Sequence, residues 1–132
     1  MNWSKTILAG VLGGVAMWLA NFVLHGLIMA ATYSRYDVFR QDGGVFHFLL
    51  IGVMMSFFAA MLFGKTRSSW APGVKGGATF GFYLGLFSFF AHFYNSLTIE
   101  GFPYYLSWCW GGIGLIVLTI MGVAIGAVYK KG

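Results

Sequence analysis

The chain has 132 residues, of which 59% are hydrophobic, 20% aromatic and 8% charged, with eight basic residues against three acidic ones. A soluble domain carries about 25% charged residues, and a chain this short cannot hide so much apolar surface in one core, so an ordinary water-soluble fold is excluded. The net charge of +5 is not a nucleic-acid patch, because the basic residues fall between apolar runs, and a single cysteine, Cys109, excludes an internal disulfide or a paired-thiol redox centre.

Four apolar runs approach or exceed the length of about 20 residues that crosses a hydrocarbon core of ~30 Å. They cover roughly residues 6–31, 45–63, 74–95 and 104–129. Helix is the expected form, since a membrane barrel would show short alternating strands. The first run follows Lys5 but continues to about Ala31 without a small-x-small cleavage site, so it is expected to be a retained span rather than a cleaved signal. At 100° per residue, Gly10, Gly14, Asn21 and His25 lie within an arc of ~60° on this helix, with Met17 and Trp18 at its edges.

The second run begins near His47 and carries Gly52, Ser56, Ala60 and Gly64 at every fourth position. His47 lies roughly 140° away from that seam. In the third run glycine recurs at Gly73, Gly77, Gly81 and Gly85, and Ser88, His92 and Asn95 continue the same face. The fourth run pairs Ser107 with Gly111 and Gly122 with Gly126. Such small-residue seams allow membrane helices to approach closely.

Charge sets the expected orientation. Lys5, Lys65, Arg67, Lys75, Lys130 and Lys131 flank the two ends and the second connection, whereas Asp37, Asp42 and Glu100 fall in the first and third connections with Arg35 and Arg40. By the positive-inside rule both termini are cytoplasmic. The expectation is an all-α membrane protein: one transmembrane domain over 1–132, with four helices in an up-down-up-down bundle. No internal repeat points to an inverted-repeat transporter.

This orientation puts His25, His47 and His92 at a similar depth near the outer surface, with Asn21, Ser88 and Asn95 close to that level. Ionisable residues inside a membrane are a functional hypothesis by default. The three imidazoles suit Zn or Cu; two suit haem. Asn21, Ser88, His25, His92 and Asn95 also suit the head of a quinone. The plain alternative is three histidines that are merely hydrogen-bonded or interfacial, with no cofactor. Met29, Met54, Met55, Met61 and Met121 fit a copper path or, more simply, gap-filling.

The segment Asn21-Phe22-Val23-Leu24-His25-Gly26, closing a glycine-rich first span before a tyrosine-containing loop, resembles the opening of small four-span proteins of bacterial inner membranes. The resemblance covers the first third of the chain. It implies an inner-membrane location and supplies no active site.

No Asp, Glu, Lys or Arg falls inside an apolar core, which argues against carboxylate-driven antiport, and no nucleophilic triad can be assembled. The leading expectation is therefore a non-enzymatic membrane protein with lipid as its solvent. It would act as a homo-oligomer or an accessory subunit of a membrane complex, through the seams at Gly10, Gly14, Gly52, Ser56, Ala60, Gly77, Gly81, Gly85, Gly111, Gly122 and Gly126. The alternatives are a metal-, haem- or quinone-binding protein with a periplasm-side His/Asn pocket, and a small-solute channel.

Overall fold

The computed structural model describes residues 1–40 and 44–130. Asp42 and Lys131, which contribute to the charge pattern, lie outside the described residues. The elements are α1 (Trp3–Asn21), a π-helical segment (Phe22–Ile28), α2 (Ala30–Tyr33), α3 (Val45–Lys65), a 3-10 turn (Arg67–Ser69), α4 (Gly73–Ala91), α5 (Phe93–Thr98) and α6 (Tyr104–Val128), with no strand among the described residues. Local signals account for several boundaries. The Asn2 side chain caps α1 by accepting from the Lys5 N–H at 3.1 Å. Pro72 and Pro103, each in extended conformation, precede α4 and α6.

Three helical stretches are long and apolar enough to cross a membrane: Trp3–Ile28, Val45–Lys65 and Tyr104–Val128. The sequence pattern predicts four. The run at 74–95 differs in two ways. Gly76, Gly77, Gly81, Gly85, Thr79 and Lys75 dilute its phenylalanines, and α4 ends at Ala91, so that Asn95 belongs to the separate short helix α5.

Helices pack as two antiparallel hairpins. In the first, the backbones of α1 and α3 touch: a Cβ added to Gly14 would lie 2.5 Å from Val53 Cα, and one on Gly10 would lie 2.8 Å from Phe57 Cα. In the second, α4 and α6 meet along Gly77, Gly81 and Gly85. There an added Cβ would lie 2.1 Å from Gly122 O, 2.3 Å from Leu118 O and 2.7 Å from the Leu115 side chain, respectively. Ser56 and Ala60 are fully buried, as expected of a seam. Gly111 departs from the pattern, since it faces the ring of Phe89 rather than another backbone. The hairpins join through α1 against α6, where Gly13 faces Ser56, Met121 and Ile125. The lateral order is thus α3, α1, α6, α4.

The closed end of the molecule is aromatic. Phe63 of α3 meets Phe80 of α4 at 5.2 Å and Tyr129 at 5.6 Å between ring centroids, and Trp70 lies 5.4 Å from Phe80. The buried Tyr129 hydroxyl lies 2.7 Å from Thr6 Oγ1, which also donates to Asn2 O at 3.0 Å. Lys5, Lys65, Arg67, Lys75 and Lys130 gather at this end, because it holds the N-termini of α1 and α4 and the C-termini of α3 and α6. Outward faces are strongly apolar: Phe46, Phe87 and Leu97 are 80%, 83% and 80% exposed. Water would not tolerate that exterior on so small a chain, whereas lipid solvates it.

Candidate functional site

Away from the aromatic end, α3 and α4 lose contact. Their divergence leaves a cleft of about 340 Å³ lined by Asn21, His25, Met17, Met55, Ser88, His92 and Trp110, together with small and aliphatic residues of α4 and α6. Its walls are largely apolar, and its polar groups come from three different segments.

Two helix irregularities place the histidines. Between Phe22 and Ile28 the first helix widens into a π turn, shown by the Met29 N–H reaching back to Leu24 O at 3.1 Å. Such turns shift the facing of the residues that follow and are frequent at functional sites. In this one, His25 Nδ1 hydrogen-bonds the Tyr33 hydroxyl. Trp110 of α6 donates its indole N–H to that same hydroxyl at 2.7 Å. Burial pushes the Tyr33 phenol up to about 12 from its usual value near 10, against the opposing pull of the Trp110 hydrogen bond. Tyr33 is therefore a neutral anchor for the His25 ring.

At His92 the third long helix breaks. The freed His92 carbonyl accepts from the buried Ser107 hydroxyl at 3.1 Å and from the Asn95 N–H at 3.3 Å. The break is thus satisfied internally and the imidazole is held over α6 opposite Gly114. A Cβ there would lie 3.3 Å from His92 Nε2 and 3.6 Å from Ser88 Oγ. Both imidazoles stand edge-on to the Trp110 ring, at 6.1 Å for His25 and 6.2 Å for His92. Ser88 donates to Gly85 O at 3.2 Å, which leaves its lone pairs available. The side chains of Asn21 and His92 make no hydrogen bond to any described residue, although both line the cleft.

The end of the cleft away from the Phe63–Phe80–Tyr129 cluster is roofed. Phe39 packs on Tyr33 (5.1 Å), Trp110 (5.7 Å) and Phe102 (5.8 Å), and Phe102 packs on Trp110 at 5.1 Å. Towards the aromatic end, Met17, Val117 and Leu118 run straight into the buried core of Met121, Ile125 and Phe63. The opening is therefore sideways, between α3 and α4.

Of the residues singled out by sequence, Asn21, His25, Ser88 and His92 come together. Asn95 does not line the cleft, because the helix break at His92 moves it into α5, where its backbone rather than its side chain is engaged. His47 sits exposed on the first turn of α3 and is also outside. A three-histidine metal site is thus not formed, and among the described residues no three His, Cys, Asp or Glu side chains gather closely enough for one. Sequence reasoning missed Tyr33 and Trp110; it noted Met17 only at the edge of the first seam, and Met55 among methionines that fit a copper path or gap-filling. The available signal was Trp110 itself, an indole N–H inside an apolar run that must find an acceptor.

Comparison with known protein families, curated proteins and solved structures finds no match to this chain.

Proposed function

We propose that the chain is a four-span membrane protein of the bacterial inner membrane, with both termini cytoplasmic. Its role is to bind a small ligand in the cleft between α3 and α4. One observation carries the reading: the Asn21 carboxamide and the His92 imidazole line an apolar-walled cleft without a hydrogen-bond partner among the described residues. Lipid offers no hydrogen bonds, and unpaired polar groups in such surroundings are costly. A ligand that uses them accounts for their presence.

The basic residues at the aromatic end support the orientation by the positive-inside rule. Although less apolar than its neighbours, α4 is treated as a span because its glycine face is fully engaged by α6. An assembly role built on the glycine seams draws less support, since most of these glycines meet backbone of another helix in the same chain. A channel draws little, because the Met121–Ile125–Phe63 core interrupts any polar path. Haem is disfavoured by size, as a porphyrin exceeds a cleft of about 340 Å³.

Thermal unfolding in mild detergent tests the reading, with Cu(I), Zn(II) and a short-chain quinone as probes. A probe at about 100 times its dissociation constant stabilises by ~2.7 kcal/mol, a rise of several degrees for a chain of this size. At least one probe should produce it in the parent protein and not in the Asn21→Leu, His92→Leu double variant. No shift with any probe, or an equal shift in the variant, overturns the proposal.

A further inference from the structure

We infer that the ligand of this cleft is monovalent copper, held by the imidazoles of His25 and His92 with the thioethers of Met17 and Met55. The inference rests on the cleft being a ligand site and adds what it binds. All four side chains line the same cleft, and they come from α1, the π segment, α3 and the break after α4. The set mixes nitrogen and soft sulfur donors, and thioethers favour Cu(I).

Charge decides between metals. The cleft lining contains no carboxylate and no thiol, and Cys109 is not part of it. The donor set is therefore neutral. The penalty for placing an ion in a low-dielectric region rises with the square of its charge, so a divalent ion bears about four times the penalty of a monovalent one of similar size. Zinc sites commonly offset this with thiolate or carboxylate ligands, and none is present. A singly charged soft ion fits a neutral sulfur and nitrogen set.

The surroundings of His25 fit the same assignment. In the tautomer whose Nδ1–H donates to the Tyr33 hydroxyl oxygen, Nε2 keeps its lone pair for a ligand. Trp110 fixes Tyr33 in turn. An outer hydrogen bond that orients the ring is the usual support for a metal-binding imidazole. The His92 ring has no competing hydrogen bond to a described residue. Trp110, edge-on to both imidazoles, also supplies an optical reporter at the site.

The test is a Cu(I) titration of the full chain in mild detergent, under anaerobic reducing conditions and against a chromophoric Cu(I) chelator. Expected are one Cu(I) per chain, quenching of tryptophan fluorescence, and sulfur scatterers in copper X-ray absorption. The Met17→Leu, Met55→Leu double variant conserves volume and should keep the parent's circular dichroism. It should lose at least tenfold in Cu(I) affinity together with the sulfur signal. Absence of Cu(I) binding, unchanged affinity in the methionine variant, or preferential Zn(II) binding overturns the copper assignment. If Cu(I) fails while a short-chain quinone quenches the parent but not the Asn21→Leu, His92→Leu variant, the cleft remains a ligand site and only copper is lost. If neither probe binds, both proposals fall.

Discussion

Replacing Gly77 by alanine should separate α4 from α6. An added Cβ would lie 2.1 Å from Gly122 O and 2.7 Å from Gly126 Cα. Carbon and oxygen tolerate about 3.3 Å, so the helices must part by ~1 Å along their seam. A radial gap of that size forfeits a quarter to a half of each dispersion contact, and overpacking of this kind costs about 1–3 kcal/mol or more. Gly112 on the same helix pair is the control, since nothing lies within 4 Å of its added Cβ. Gly112→Ala should be neutral or stabilise by ~0.5–1 kcal/mol through helix propensity. The two variants should therefore differ by about 3 kcal/mol, or roughly 10 °C in Tm. Thermal unfolding in mild detergent, followed by circular dichroism, measures the gap. Equal Tm values for the two variants would refute the packing argument. So would a Gly77→Ala protein of unchanged Tm and altered native mass, which would instead assign the seam to contacts between chains.

Three further outcomes follow from the geometry. Asn21→Leu should raise the Tm of ligand-free protein, because it removes a polar group without a partner, a gain of about 1 kcal/mol; a lower Tm would mean that Asn21 is already satisfied. Tyr129→Phe should cost ~1 kcal/mol, with Thr6 still bonded to Asn2 O, and chemical denaturation of the two proteins measures the difference. Tyr33 ionises near its usual value of 10 in the unfolded chain and near 12 in the folded one. The stability it contributes is complete below pH 10 and is lost as pH rises towards 12. Tyr33→Phe should flatten that alkaline limb relative to the parent, and identical limbs would show that Tyr33 is not held as described.

Helix positions and seams were legible because glycine at every fourth residue has one strong use in an apolar helix. Gly10, Gly14, Gly77 and Gly81 each meet a neighbouring backbone as their spacing implies. Partner choice was not legible. Spacing says that a seam exists, but not that α6 would take both α4 and α1 while α3 and α4 drift apart. The cleft is a product of that omission. All of its polar lining but Trp110 could be read from Asn21, His25, Ser88 and His92, which share helical faces. Asn95 failed because a regular helix was extended through His92, where Ser107 from a distant segment stabilises a break. Tyr33 and Trp110 were hidden for a related reason: their hydrogen bond joins residues 77 apart in sequence.

The bond between Thr6 and Tyr129 joins residues 123 apart, and it has a consequence for biogenesis. The α1–α3 and α4–α6 hairpins each draw on nearby chain and can form as soon as their helices are inserted. The clasp between the first and last helices cannot close until synthesis has reached the final turn. Until then the α1–α3 half stands in the bilayer without its partner. The arrival of α6 completes the second half, fastens it to the first and gives the gap between α3 and α4 its shape.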